Sequence, residues 1–273
     1  MFDTRISSSH GQILQRSHGA AMVRFRAGRL CGLRQQGSAK AILPRVGMVP
    51  EVVFLNTSGG LTSGDTLSYQ ADIENGRMVA TTQAAERAYR ADGGAARVTV
   101  DHRVGPGGWL DWLPQETILF DHAQLDRKTM IELDADAGCL MLEAVVLGRH
   151  AMGEVVETLG FSDRREIRRA GQPVMIEPLS LTQPVLARTD SVALHGTARA
   201  LATMVLCAQG AEDAVGAARA VLTEPGVEGA ASGFDGKCVI RLLARDNWPL
   251  RKQILRLMGA LRQGAVPPRV WQI

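Results

Sequence analysis

Hydrophobic and polar residues alternate along much of the first two thirds of the chain. In Thr66–Ile73 every second residue from Leu67 onward is apolar. A period of two places alternate side chains on opposite faces of a strand, so this segment is predicted to be a half-buried strand. The Asn75-Gly76 pair that follows is typical of a hairpin turn, because both residues tolerate positive φ. Met78–Gln83 is the predicted return strand.

Further strands are predicted at intervals of about ten residues, with turn signals between them. The segments concerned are Arg97–Val104, Leu125–Leu133, which alternates less regularly, and Cys139–Leu147. The last is almost wholly apolar, as expected of a strand that is covered on both faces. The pattern predicts a mainly β fold: a sandwich, a barrel or a stacked-sheet solenoid.

The last third of the chain changes character. Ala211–Leu222 and Trp248–Arg262 carry apolar residues at helical spacing and are predicted to be helices. The apolar stripe of the second could pack on the core or face a partner protein, and core packing is favoured. Ala200–Ala208 fits a helix or a strand, and the strand is favoured because glycines bracket a short run. Lys237–Leu243 is predicted to be a strand. We find no linker, so residues 1–273 are expected to form one domain.

Composition and charge exclude several classes of protein. A hydrophobic fraction of 45% and a charged fraction of 22% exclude a wholly disordered chain. A net charge of +3 over 273 residues does not indicate a nucleic-acid-binding protein. The densest basic stretch, Asp163–Arg169, has interleaved acids, and we interpret it as a solvated turn or a rim contact to another protein.

Cysteine spacing and the apolar runs bear on the compartment. Four cysteines lie along the chain with no CxxC pair, which fits neither a zinc knuckle nor a small disulfide framework. Cys139 and Cys207 lie in apolar runs and are interpreted as buried small hydrophobic residues. The first twelve residues lack the apolar core of a signal peptide, and no run is long enough to span a bilayer. A soluble, reduced, cytoplasmic protein without a membrane partner is expected.

The segment Leu55–Asp65, LNTSGGLTSGD, looks at first like a phosphate-binding loop. Such a loop ends in a lysine and opens a helix whose amides face the phosphate. Here no lysine follows, and the segment leads into the clearest predicted strand. We therefore interpret it as a connection in which Gly59, Gly60 and Gly64 supply positive φ.

The six histidines show no metal-binding spacing. His102 and His122 each follow an aspartate and could form a weak metal site if the fold joined them, but scattered structural histidines are the favoured interpretation. The histidines are His10, His18, His102, His122, His150 and His195.

Two carboxylates interrupt apolar sequence and must be paired, protonated or in contact with water. Glu143 lies in the run Leu140–Leu147, and Asp111 lies between Leu110 and Trp112. Catalytic acids have this setting, and so do structural ion pairs, for instance of Glu143 with Arg149. The sequence leaves both interpretations open.

Four motifs occur together in one order, and the chain end PPRVWQI at 267–273 accompanies them. They are LNTSGGLTSGD at 55–65, TTQAAERAYR at 81–90, WLPQETILFDHA at 112–123 and LGRHAMGE at 147–154. In these motifs the chain resembles the urease accessory protein family UreD, also called UreH. Ser63 departs from the pattern, since a glycine is expected there.

The resemblance implies a solenoid-like β fold and a non-enzymatic role. Proteins of this family bind apo-urease and UreF, which recruits the GTPase UreG, and the assembly delivers nickel to the urease active site. No intrinsic cofactor is implied, and nickel would be a transient cargo. GTP hydrolysis would belong to UreG, in agreement with the missing phosphate loop.

A nickel ion in transit needs ligands that release it, and oxygen ligands along an internal passage suit that need. We hypothesise that Asp65, Thr82, Glu143 and Glu177 line or adjoin such a passage. The alternative for each is an internal hydrogen bond that stabilises the fold.

A competing hypothesis is a β-rich hydrolase that uses a pair of carboxylates, Asp111 with Glu116 or Glu143. An enzyme would turn over substrate alone, whereas an accessory protein needs its partners.

Overall fold

The computed structural model describes residues 16–45, 47–149, 152–188 and 196–272. In chain order its strands are β1 (His18–Arg26), β2 (Arg29–Gly37), β3 (Ala39–Ile42), β4 (Glu51–Asn56), β5 (Thr66–Glu74), β6 (Gly76–Thr82), β7 (Glu86–Ala88), β8 (Ala96–Val104), β9 (Gly108–Trp112), β10 (Thr117–Leu119), β11 (Gln124–Leu133), β12 (Gly138–Leu147), β13 (Gly160–Arg169), β14 (Gln172–Thr182), β15 (Ala200–Cys207), β16 (Val227–Phe234) and β17 (Lys237–Ala244). Its α-helices are α1 (Gln183–Leu186), α2 (Ala214–Ala220) and α3 (Asn247–Leu261).

The strands form two sheets, and the chain winds between them. One sheet has the order β14-β13-β11-β8-β5-β1-β2, and the other has the order β16-β17-β15-β12-β9-β6-β4-β3, with β10 beside β12 and β7 beside β10. Strands β5, β8, β11 and β13 pair in parallel in the first sheet, while β4, β6, β9 and β12 do so in the second. Each coil therefore contributes one strand to each sheet, and the predicted mainly β, solenoid-like fold is confirmed.

The predicted hairpin at Asn75-Gly76 is wrong. Both flanking strands exist, but β5 lies in one sheet and β6 in the other, so the pair forms a corner between sheets. Asn75 has φ 50° and Gly76 has φ 152°, which is the backbone freedom that the sequence indicated. The corner stacks on the next coil, because the amides of Asn75 and Gly76 donate to the carbonyls of Pro106 and Gly107 at 2.9 and 3.0 Å.

Two hydrophobic cores explain the long apolar run of β12. One core fills the space between the sheets and includes Phe54, Trp112 and Phe161. The other lies between the second sheet and the helices α2 and α3. Since β12 is a central strand of that sheet, successive side chains enter opposite cores, and all ten of its residues are buried.

The C-terminal elements agree with the sequence pattern. Helix α3 buries its apolar stripe, from Leu250 to Leu261, on the second sheet, and its first turn is capped by Asp246, which accepts from the amide of Trp248 at 2.7 Å. The ambiguous segment is strand β15, and α2 follows a single 3₁₀ turn. No helix in the described ranges is long and apolar enough to cross a membrane.

The interpretation of Asp163–Arg169 as a solvated turn is wrong. These residues lie in strand β13, where Asp163 and Arg165 point inward and are 1% and 2% exposed. The charges on the inner face of the strand are shielded from water, and they pair with one another and with a charged residue on a neighbouring strand.

Candidate functional site

Glu143 projects from β12 into the space between the sheets and is 2% exposed. Its carboxylate accepts hydrogen bonds from Trp112 Nε1 at 3.1 Å and from the Thr129 hydroxyl at 2.9 Å. Arg127 Nη1 lies 2.9 Å from its second oxygen. The buried charge is therefore paired and hydrogen bonded, as its cost of burial requires. Its partner is Arg127 and not Arg149, whose ion pair is with Glu154 at 3.3 Å.

Arg127 joins Glu143 to a second buried carboxylate. Its Nε and Nη2 donate to the two oxygens of Asp163 at 3.0 and 2.6 Å, a bidentate pairing. Its Nη1 also donates to the Thr117 hydroxyl at 2.8 Å. Burial alone would lower the pKa of Arg127, but the carboxylates of Asp163 and Glu143 raise it above its ordinary value. This guanidinium is thus held in its charged form.

The chain of charges continues to Glu177. Arg165 Nε donates to Asp163 at 2.8 Å, and its Nη1 donates to Glu177 at 3.0 Å. Glu177 also accepts from Arg241 Nε at 2.9 Å. Burial would raise the pKa of Asp163, but Arg127 and Arg165 hold it below its ordinary value. We call these five residues the buried charge network: Glu143, Arg127, Asp163 and Arg165 are buried, and Glu177 at the end is half-buried.

Each end of the buried charge network meets a cavity. At one end, an inner cavity of about 40 Å³ is bounded by Arg127 and Glu143. At the other, a cavity of about 300 Å³ is bounded by Arg165 and Glu177 together with side chains of β15 and β17. The inner cavity is large enough to hold water.

Thr82 lies where the inner cavity adjoins a third cavity, of about 130 Å³. Tyr69, Thr82 and Glu86 line both the inner and the third cavity, and Gly59 and Gly60 also bound the third. The Thr82 hydroxyl accepts from the amide of Gln115 at 2.9 Å.

Glu86 is the carboxylate at this junction. Burial raises the pKa of Glu86 to about 7, although a hydrogen bond from Asn56 Nδ2, at 3.2 Å, opposes the shift. Burial thus moves the pKa of Glu86 toward neutrality, whereas neighbouring arginines hold the pKa of Asp163 below its ordinary value.

Asp65 lies apart from these cavities and stabilises a turn. Its two oxygens accept from the amides of Ser17 at 2.7 Å and of Thr62 at 2.8 Å. The side chain is 5% exposed. The geometry thus fits the hydrogen-bonding alternative for this residue, and it does not bring Asp65 to the buried charge network.

The glycine-rich segment forms a turn that leads into β5. Gly59, Gly60 and Gly64 have φ of 79°, 148° and 73°. At Gly60 a Cβ would lie 2.4 Å from Cε2 of Tyr89 and 2.8 Å from the carbonyl oxygen of Arg87, so only glycine fits.

The three histidines within the described residues are not brought together as a metal site. His102 is fully buried, its Nδ1 accepts from the amide of Ala71 at 3.0 Å, and burial lowers its pKa to about 3. His122 instead lies 3.3 Å from Asp121. His10, His150 and His195 lie outside the described residues. Within those residues, no three His, Cys, Asp or Glu side chains are grouped so that they could hold a metal ion.

A family model described as the UreD urease accessory protein matches residues 17–272. The chain belongs to the UreD family. It is 60% identical over 265 residues to the urease accessory protein UreD of a strain of Cereibacter sphaeroides, a match that covers 95% of this chain and 96% of that protein. The identity is 50% over 262 residues with the protein of that name from Paracoccus denitrificans, covering 95% and 94%. With that of Rhizobium leguminosarum bv. viciae it is 43% over 260 residues, covering 94% of each chain.

Membership of the UreD family identifies the chain as an accessory protein of urease. Ser63, which stands where a glycine was expected, is fully buried. Its hydroxyl accepts from the amides of Asp92 and Gly93 at 2.7 and 3.1 Å. The serine therefore secures the turn to the loop that precedes β8.

The carboxylates considered for a hydrolase have separate partners in this UreD-family fold. Asp111 accepts from Arg262 Nε at 2.8 Å, and Glu116 accepts from Asn247 Nδ2 at 2.9 Å. Neither contact is with Glu143, whose partners are described above, so the geometry gives the hydrolase hypothesis no support.

Three residues at the centre of the site were not identified from the sequence: Arg127, Asp163 and Arg165. A signal for Arg127 exists, because the buried positions of β11 alternate from Leu125 to Leu133 and place Arg127 and Thr129 on the inward face. The less regular alternation of this strand therefore marks the site.

Proposed function

We propose that the chain is a non-catalytic assembly protein that supports nickel insertion into urease. In this proposal it binds apo-urease in the cytoplasm and acts with UreF and the GTPase UreG. The observation that carries it is family membership over residues 17–272, together with relatives of 43–60% identity that are named urease accessory proteins. The segment Leu55–Asp65 leads into strand β5 and lacks a following lysine, which supports assigning GTP hydrolysis to UreG.

Co-purification tests the partners. A tagged copy of the chain is expressed with the urease subunits, UreF and UreG, and the tag is used to isolate complexes. We expect apo-urease and UreF to be retained, and UreG to be retained only when UreF is present. Isolation of the chain free of urease and UreF, from cells that contain both, would contradict the proposal.

We further propose that nickel passes through the interior between the two sheets. The route begins at the cavity beside Gly59 and Gly60, passes Thr82 and Glu86, and reaches Glu143. From there the buried charge network leads to Glu177 and its cavity. The support is that oxygen-bearing residues join three cavities across the interior. Asp65 is at most adjacent to the route, since the amides of Ser17 and Thr62 occupy its carboxylate.

The chemistry of the route favours transit over storage. Carboxylate and hydroxyl oxygens bind nickel more weakly than a cage of imidazoles or thiolates would. Arg127 and Arg165 neutralise the carboxylates at rest. A divalent cation could therefore reach Glu143 or Glu177 only if a guanidinium moved aside, so these arginines act as gates that are closed in the absence of cargo.

Charge-neutral substitutions test the passage. Glu143→Gln and Glu177→Gln keep the side-chain length and remove the charge that attracts the metal, and Glu228→Gln on an exposed position of β16 is the matched control. The nickel content and activity of urease are measured in cells that carry each variant as their only copy. We expect urease to contain less nickel with Glu143→Gln or Glu177→Gln, and to contain as much as with the wild type when the control is used. Co-purification of the partners should be unchanged for all three variants. Full activation by both Glu143→Gln and Glu177→Gln would refute the passage while leaving the accessory role intact.

A further inference from the structure

Two cysteines face each other across neighbouring strands at one end of the second sheet. Cys139, the second residue of β12, is the direct partner of Cys207, the last residue of β15, in an antiparallel pair. Directly opposed residues in such a pair have Cα atoms about 4.5–5.5 Å apart. A disulfide needs a separation of about 4.4–6.8 Å, so the spacing of a directly opposed pair falls within the range that a disulfide requires.

The two thiols differ in their electrostatic surroundings. A hydrogen bond with Cys139 lowers the pKa of Cys207 to about 7; burial opposes this shift, and a hydrogen bond and the charge of Arg169 support it. The hydrogen bond between the two thiols and burial raise the pKa of Cys139. Arg169 Nη2 lies 3.8 Å from Cys207 Sγ, and Lys237 is the partner of Cys207 on β17. Cys207 is therefore the thiol that ionises first.

Arg169 is held in place over the pair. Its Nη1 donates to the carbonyl oxygens of Ala135 and Ala137 at 3.1 and 2.7 Å. Both sulfurs are buried, but they lie at the ends of their strands beneath this half-buried side chain, where local opening of a sheet is easiest. Cys238, by contrast, lies in the other core against the helices, and Cys31 is exposed.

We propose that Cys139 and Cys207 are a peroxide-sensitive pair that forms a disulfide, with Cys207 as the attacking thiolate. The Cys207 sulfur attacks one oxygen of hydrogen peroxide, the O–O bond breaks, and the leaving hydroxide takes up a proton to become water. The resulting sulfenic acid is attacked by the Cys139 sulfur, which gives up its proton. The S–S bond forms, the S–O bond breaks, and a second water leaves, so two thiols are oxidised and one peroxide is reduced.

Peptide mapping tests the proposal on the whole chain. The reduced protein is treated with hydrogen peroxide near neutral pH, free thiols are alkylated, and the chain is digested without reductant for mass spectrometry. We expect a linked pair of peptides that contains Cys139 and Cys207 and is two hydrogen atoms lighter than the separate peptides. Cys238 should remain unreacted, which shows that the chain stayed folded. Survival of both thiols at a dose that oxidises Cys31, or oxidation of each without a link, would overturn the proposal.

A pair of variants tests the part played by the guanidinium. Arg169→Gln should slow formation of the disulfide by about threefold to tenfold, because less Cys207 is ionised at neutral pH. Arg34→Gln, at an exposed position of β2, should leave the rate unchanged. Equal rates for the two variants would overturn the assignment of Arg169 as the group that activates Cys207, whatever the result of the mapping.

Discussion

Removal of the Arg127 side chain should destabilise the protein more than the loss of any single exposed ion pair would. The substitution Arg127→Met keeps an unbranched side chain of similar length and removes the charge. Four contacts are lost, to Asp163 at 3.0 and 2.6 Å, to Glu143 at 2.9 Å and to Thr117 at 2.8 Å. Two buried carboxylates then lack their main counter-charge.

The size of the effect follows from what remains. Asp163 keeps Arg165 at 2.8 Å, and Glu143 keeps its two hydrogen-bond donors, so neither carboxylate is left without a partner. Breaking a buried pair on one side costs about 3–5 kcal/mol, and we expect a loss in this range near neutral pH. The measurement is urea unfolding followed by circular dichroism, with the free energy of unfolding obtained by linear extrapolation.

A pH series adds a second readout. The folded-state pKa of Asp163 lies below its ordinary value of 3.8, so its contribution to stability is present above that pH and is lost as the pH falls through the folded-state pKa. Without Arg127, Asp163 protonates more easily in the folded protein. The difference in stability between wild type and variant should therefore shrink as the pH falls from neutral toward 4.

The matched control is Arg24→Met. Arg24 forms an ion pair with Asp72 at 3.1 Å on a strand of the same sheet, but its side chain is 55% exposed. Such a pair contributes about 0–1 kcal/mol. If Arg127→Met cost no more than this control, the buried charge network would not stabilise the fold in the way we describe.

Three further substitutions test separate features. Gly60→Ala should lower the free energy of unfolding by about 1–3 kcal/mol, because the backbone conformation of Gly60 excludes a side chain and the added Cβ would meet Tyr89. Gly59→Ala is the control and should cost less, because no atom lies within 4 Å of its added Cβ. Equal losses in urea unfolding would contradict this explanation. Glu86→Gln should flatten the pH dependence of stability. The folded-state pKa of Glu86, about 7, exceeds its ordinary value of 4.5, so the wild type loses stability as the pH rises from 4.5 to 7. The variant lacks this titrating group and should not show that loss. Gln253→Leu should lower the free energy of unfolding by about 2–4 kcal/mol, because the Gln253 side chain accepts from two backbone amides and donates to a backbone carbonyl. A loss under 1 kcal/mol, in thermal or urea unfolding, would show that water satisfies these backbone groups in the variant.

The local sequence pattern predicted which segments form strands and turns better than it predicted which strands pair with one another. The alternation in Thr66–Ile73 identified a strand, and Asn75-Gly76 identified a turn with positive φ. Both a hairpin and a corner between sheets satisfy those local constraints. The choice depends on parallel pairing with β1 and β8, strands far away in the sequence, and a local window does not contain that information.

The same limit applies to the site. The apolar surroundings of Glu143 showed that this carboxylate must be paired, which is a consequence of the energetics of burial. The identity of the partner depends on the register of β11 against β8 and β13, which brings Arg127 and Asp163 side by side. Interleaved charges in Asp163–Arg169 have the composition of a surface segment, and only the packing of the inner sheet face on the core shows that Asp163 and Arg165 are buried.

The nickel content of urease from cells that lack this chain shows whether the chain is needed for nickel insertion. Urease is purified from a strain in which the gene is deleted and from the same strain with the gene restored, and nickel is measured per active site. We expect urease to be synthesised in both strains. It should be free of nickel and inactive in the deletion strain, and it should contain nickel and be active once the gene is restored. Nickel-loaded, active urease in the deletion strain would contradict the proposed role.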